Sequence, residues 1–150
     1  MTEVSFYHLT STPLDRALPM LMIKILEMPT RALVVADSEE QLTQLNQTMW
    51  TYPQWAFIPH GTKEDGDPMD HPIFLSTNEE NVNKADVLVL ADGQMNSKTL
   101  GSYKKCLILF DGQDEAKVKN ARESWKTLKD AGHALKYFKQ KDDGSWALEG

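Results

Sequence analysis

The sequence predicts a single α/β domain: a mainly parallel sheet flanked by helices. Three observations lead there. Short apolar runs suited to strands alternate along the chain with segments of helical periodicity. Two of these runs, "DVLVLAD" (86–92) and "KCLILFD" (105–111), are continuous enough to be buried on both faces, as interior parallel strands are. No internal repeat or long linker divides the 150 residues, which suit one domain of ordinary size.

The elements follow in order. "VSFYHL" (4–9) alternates and is β-rich, so it reads as a strand. "STPLDRALPMLMIKILEM" opens with Ser and Thr before a proline, a helix-start signal. Its Leu14, Leu18, Leu21, Met22 and Ile25 recur at helical spacing, and Pro19 is expected to kink the helix or mark its true start. "RALVVA" (31–36) suits a buried strand. In "DSEEQLTQLNQTMW", Asp37 or Ser38 can cap a helix whose face is Leu42, Leu45 and Met49, with Trp50 at its edge. "AFIPH" (56–60) and "PIFLST" (72–77) read as strands around the polar loop "GTKEDGDPMDHP". A helix from about Asp114 to Asp130, a strand "HALKYFK" and an acidic tail at 142–150 complete the domain.

Charge is unevenly distributed. The net is −6, but residues 1–100 carry −8, residues 101–141 carry +5, and residues 142–150 carry −3. The overall sign argues against general nucleic-acid binding, whereas the basic stretch around the late helix suits an acidic partner. The single Cys106 lies in an apolar strand, where an inert thiol is expected and no internal disulfide is possible. Asp15, Arg16, Lys24 and Glu27 interrupt the first apolar stretch, so neither a signal peptide nor a membrane span is expected. A cytoplasmic, reduced protein is the simplest reading.

Catalytic signatures are weak. "DGQMNSKTLG" follows a strand and contains Lys98 and Thr99. However, a phosphate loop would need glycines at positions 92 and 97, which are Asp92 and Ser97. There is no G-x-G-x-x-G and no nucleophile elbow. His60, Asp65, Asp67, Asp70 and His71 match no metal-binding spacing, and turn-forming and capping roles suit the carboxylates better. No cofactor and no metal is therefore expected. A nucleotide-binding enzyme or sensor using the loop 92–99 is the alternative reading.

The late helix is more informative. Val118, Ala121, Trp125 and Leu128 form one stripe, and Lys119, Arg122, Lys126 and Lys129 form a basic stripe one residue on, about 100° round the helix. A tryptophan bordered by a guanidinium suits a peptide carboxylate beside an apolar side chain. A second concentration of rings lies in "TMWTYPQWAFIPHG" (48–61).

The order of "SFYHLTSTPLDRALPMLMIKIL", "RALVVADSEEQLTQLNQTMWTYPQWAFIPHG", "DGDPMDHPIFLST" and "ARESWKTLKDAGH" resembles the chi subunit of bacterial DNA polymerase III, from residue 4 to about 140. Its most specific pieces are Leu45 to Trp50 followed by Phe57 to His60, and Ala121 to Lys126. The resemblance implies a small α/β protein similar to nucleotide-binding folds but without a phosphate loop. It also implies a non-catalytic accessory of the clamp loader, joined to it through the psi subunit. Such a protein binds the acidic C-terminal tail of single-stranded DNA-binding protein, which ends in Asp, Ile, Pro and Phe, and contacts DNA only indirectly.

By position, Trp50 and Phe57 match the family's aromatic residues near the tail pocket, and Arg122 matches its arginine. Trp125 falls where the best-known members have tyrosine, and the family's basic residue one turn before the arginine falls on Val118, between Lys117 and Lys119. The expected tail site is therefore Trp50, Phe57 and Trp125 around the terminal phenyl ring, with Arg122 and Lys119 or Lys126 on the carboxylates. Tyr52 and Trp55 are expected at the rim or in packing.

Overall fold

The structure, a computed structural model, describes residues 2–28, 30–52, 57–78, 80–91 and 100–149. Its elements run β1 (Glu3–Leu9), α1 (Leu14–Glu27), β2 (Ala32–Val35), α2 (Glu39–Thr51), β3 (His60–Gly61), β4 (Ile73–Ser76), β5 (Val87–Leu90), β6 (Lys105–Asp111), α3 (Glu115–Asp130), β7 (Ala134–Gln140) and β8 (Trp146–Leu148). The sheet order is β3-β4-β2-β5-β6-β1-β7-β8, and every pairing is parallel except β7 with β8. The fold is thus the single α/β domain with a mainly parallel sheet that the alternation of elements predicts.

Strand composition accounts for the layering. All four residues of β2 and of β5 are buried, as strands covered on both faces require. Alternate residues divide them between two cores. Val34, Val89 and Leu107 face α1 and α2, meeting Leu18, Met22, Leu45 and Met49. Leu33, Leu88 and Ile108 face the other way, into a core with Phe6, Phe110 and Ala121 of α3. Connections β1–α1–β2 and β2–α2–β3 step along the sheet in one direction, whereas β6–α3–β7 steps in the other. Because each crossover is right-handed, opposite steps place α3 on the face opposite α1 and α2.

Helix ends follow local chemistry. Ser38 accepts from the Gln41 N–H at 3.1 Å while Gln41 Oε1 accepts from the Asp37 N–H at 2.8 Å, so one first-turn donor and the N–H just before the cap are both satisfied. Asp114 caps α3 through the N–H groups of Ala116 and Lys117. Gly132, at φ 90°, ends it in the left-handed region that favours glycine. Pro19 does not mark the start of α1, which begins at Leu14; its ring is buried within the helix.

Two other expectations need correction. Of the strand expected over 56–60, the described residues 57–59 lie outside any strand, β3 covers only His60 and Gly61, and Phe57 is 70% exposed. The acidic segment 142–150 is not a free tail. A turn at Lys141–Ser145, with Gly144 at φ 87° and Asp143 bonded to the N–H and hydroxyl of Ser145, returns the chain as β8.

The loop after β1 explains how a nucleotide-like topology differs from a nucleotide site. The N–H groups of Thr10, Ser11 and Thr12 all donate to Oε1 of buried Gln140, at 3.2, 3.0 and 2.9 Å. In phosphate-binding α/β folds, backbone donors in this position serve the ligand. Here a side chain from β7 occupies them. Gln140→Ala leaves three donors without their acceptor, and we expect a loss of about 2–3 kcal/mol in a urea melt.

Candidate functional site

The α3 stripe seen in the sequence is the helix's inner face. Ala121 is fully buried, and Val118, Trp125 and Leu128 pack at the margin of the second core. Trp125 stands edge-on to Phe6, centroids 5.5 Å apart, and to Tyr137, 5.9 Å apart. Its position is thereby fixed, while part of the indole stays accessible. One residue round the helix, Lys119, Arg122 and Lys126 are exposed. Together with Glu123, Trp125, Tyr137 and Glu149 they line a cavity of about 740 Å³ between α3 and the β7–β8 hairpin. A second hollow of about 380 Å³, against Gly112, Glu115 and Val118, shares Lys119 and Arg122. The two cations therefore stand between two depressions.

Below this groove lies a hydrogen-bonded pair. His8 Nδ1 and the Tyr137 hydroxyl are 2.6 Å apart. Burial holds the His8 imidazole below its ordinary pKa, and the cations Lys139 and Arg122 push the same way, while Asp111 and Glu149 oppose. His8 and the Tyr137 hydroxyl thus share a hydrogen bond beneath the groove. Burial raises the Tyr137 pKa; Arg122 lowers it and Glu149 raises it, so both charges are felt at the groove floor. Gly112 is required beside this pair, since a Cβ there would lie 2.1 Å from His8 Nε2 and 2.6 Å from the Leu9 carbonyl.

A titration consequence follows. The folded state holds His8 below its unfolded value of about 6.5, so the folded chain binds fewer protons there. That contribution is fully present above pH 6.5 and is lost as pH falls through the folded value. We expect the denaturation midpoint of the native sequence to fall more than that of His8→Gln between pH 7.5 and 5. Parallel curves would contradict this.

The aromatic residues of the 48–61 segment lie elsewhere. Trp50 is 55% exposed and Phe57 70% exposed, with ring centroids 6.0 Å apart, and Trp50 lies 4.6 Å from the His60 ring. His60 belongs to β3, the far edge strand, while Trp125 packs over β1 and β7. Five strand spacings separate β3 from β1, about 24 Å, and α2 and α3 cover opposite faces. The structure brings Lys119, Arg122, Trp125 and Lys126 together and leaves Trp50 and Phe57 as a separate exposed pair. The expected meeting of Trp50 and Phe57 with Trp125 does not occur. Tyr52 lies under the Arg16 guanidinium, 4.4 Å from carbon to ring centroid, and Trp55 falls outside the described residues.

Sequence reasoning missed two groove residues. Tyr137 was visible in principle, because alternation along β7 puts Leu135 and Tyr137 on one face. Glu149 was hidden by reading its segment as a tail, although the Asp143-Gly144 pair is a hairpin signal.

The other candidate positions are engaged structurally. Asp65 accepts from the Thr62 N–H at 2.8 Å, and Asp67 from the Met69 N–H at 3.0 Å, as turn carboxylates do. Cys106 is buried. The crevice at the carboxyl ends of β1 and β6, where α1 and α3 depart to opposite faces, is the usual ligand position in such sheets. It measures about 340 Å³ and is lined by Thr10, Ser11, Thr12 and Asp111. Gln140 occupies the backbone donors, and the crevice wall carries both the Asp111 carboxylate and Lys117. The loop 92–99 of the alternative nucleotide reading lies outside the described residues. No described helix is long and apolar enough to cross a membrane.

Fold and site together define an α/β domain whose first-loop backbone donors are held by Gln140 and whose last helix borders a basic, aromatic groove. Comparison with known proteins places it more closely. Residues 1–136 match the family model described as DNA polymerase III chi subunit, HolC. The chain belongs to that family. It is also 32% identical over 90 residues to a Rickettsia prowazekii (strain Madrid E) protein named probable DNA polymerase III subunit chi. The match covers 60% of this chain and 54%, about half, of that relative. Membership makes it an accessory-subunit homologue within bacterial DNA replication.

Proposed function

We propose that this chain binds the acidic C-terminal tail of single-stranded DNA-binding protein in the α3 groove and links it to the clamp loader, without catalysing a reaction itself. The observation that carries this reading is the juxtaposition of Arg122, Lys119 and Lys126 with the partly accessible Trp125 around one cavity. Trp125 and the apolar parts of the wall would receive the terminal phenyl ring. The guanidinium of Arg122 would pair with the terminal carboxylate, and the lysines would attract the acidic side chains. Bare DNA lacks this combination, so the chain would reach DNA through its partner.

Trp50 and Phe57 take a different part in this proposal. Two large rings exposed side by side, far from the cationic groove, suit an apolar protein surface. We assign them to the clamp-loader psi subunit rather than to the tail. Two surfaces on opposite faces would let one chain hold both partners at once.

Binding assays with purified psi and single-stranded DNA-binding protein test the division. Arg122→Ala should lose the DNA-binding protein and retain psi; Trp50→Ala with Phe57→Ala should do the reverse. Loss of both partners in either folded variant would contradict two separate surfaces.

A further inference from the structure

The groove contains two acids of the chain's own, Glu123 on α3 beside Arg122 and Glu149 on the opposite wall. Glu149 follows β8, and its N–H donates to the Tyr137 carbonyl at 2.7 Å, extending the β7–β8 pairing by one step. Residues paired across neighbouring strands project to the same side, and Glu149 and Tyr137 accordingly line the same cavity as Lys119, Arg122 and Lys126. The other two acids of the segment are placed differently. Asp143 is spent on the turn, bonded to Ser145, and Asp142 is exposed outside the cavity. Among the described residues, no ion pair within 4.0 Å locks Glu149 to the groove's lysines or arginine. Its backbone is held by the Tyr137 carbonyl, and its side chain is exposed at the cavity wall.

We propose that Glu149 is a built-in competitor for the basic groove, a carboxylate that partly neutralises Arg122 and its neighbouring lysines and must be pushed aside by an arriving acidic segment. The inference rests on the reading of the groove as an acidic-peptide site. It adds a residue that weakens binding and sharpens selection. A ligand must offer more than one negative charge to outcompete the internal one, while a singly charged peptide gains little. The hairpin turn at Asp143–Ser145 is what delivers this residue, so the acidic segment acts through one position and not through its overall charge.

The test uses the full chain and a fluorescent acidic peptide ending in Asp-Ile-Pro-Phe, titrated by anisotropy. Glu149→Gln removes the hairpin's acid from the groove while Glu123 stays, and Asp142→Asn makes the same change in net charge outside the groove. We expect Glu149→Gln to tighten binding about two- to fourfold, with a larger gain for Glu149→Lys, and Asp142→Asn to leave it nearly unchanged. The gain should shrink in 0.5 M salt, about where the screening length falls below 5 Å. Equal effects of the glutamate and aspartate variants, or weaker binding by Glu149→Gln, would overturn the inference while leaving the groove as the peptide site. Absence of binding by every chain, the native sequence included, would overturn the groove reading and this inference together.

Discussion

Arg122→Ala should weaken binding of the acidic tail peptide by about 10- to 100-fold while leaving the fold intact. Arg122 is exposed, and its side chain faces the groove without contributing to either core, so its removal costs little stability. The loss instead reflects one charge-assisted contact to a carboxylate, worth about 1.5–3 kcal/mol. Arg122→Lys should recover part of it, because an ammonium restores the charge but not the two-pronged geometry. Lys119→Ala and Lys126→Ala should each cost less, since exposed lysines act mainly as point charges and are screened by salt. A peptide-binding series measured at two salt concentrations would separate the two kinds of effect. An Arg122→Ala variant that binds as well as the native chain would move the site off α3.

The largest expected effect on stability comes from Phe6→Ala, at about 3–5 kcal/mol. Phe6 is fully buried in β1 between the strands β6 and β7, and its ring meets both Trp125 and Tyr137. Its truncation opens a cavity under the groove and also removes the edge contact that positions the indole. For a domain whose total stability is about 5–15 kcal/mol, this change consumes a large share. Urea unfolding would measure it, and Phe6→Leu should cost much less by keeping most of the volume. A loss below 1 kcal/mol in Phe6→Ala would mean that the second core is not packed as described.

The two substitutions separate chemistry from scaffold. Arg122 acts on the ligand from the exposed side of α3. Phe6 acts on the same groove from below, by holding Trp125 against β1 and β7. Position on the helix decides which role a residue has, and that much was readable from spacing alone. Val118, Ala121, Trp125 and Leu128 recur at helical intervals, so their neighbours Lys119, Arg122 and Lys126 had to emerge together on the adjoining strip. The apolar continuity of β5 and β6 likewise marked them as interior parallel strands.

Global placement was less accessible. Trp50, Phe57 and Trp125 are all aromatic and match one family pattern, yet Trp125 packs over β1 and β7 while Trp50 and Phe57 lie beside His60 of the far edge strand. Crossover handedness would have separated them, but only once the strand order was known, and no local pattern encodes that β1 sits between β6 and β7. Glu149 was missed for a related reason. Composition made residues 142–150 look like a solvated tail, whereas Gly144 and the Asp143 turn fold them back into pairing. Gln140 gave no signal at all. Its three backbone partners lie about 130 positions away, brought close by the parallel pairing of β1 with β7.

The most direct measurement is an anisotropy titration of the native chain with a labelled acidic peptide ending in Asp-Ile-Pro-Phe, beside the same peptide ending in alanine. Burial of one phenyl ring plus a few charge-assisted contacts, less the cost of association, predicts a dissociation constant on the order of micromolar for the first peptide. The alanine-ended control should bind at least about tenfold more weakly. Equal affinity for the two peptides, or no binding at low salt, would contradict the assignment of the α3 groove to the tail.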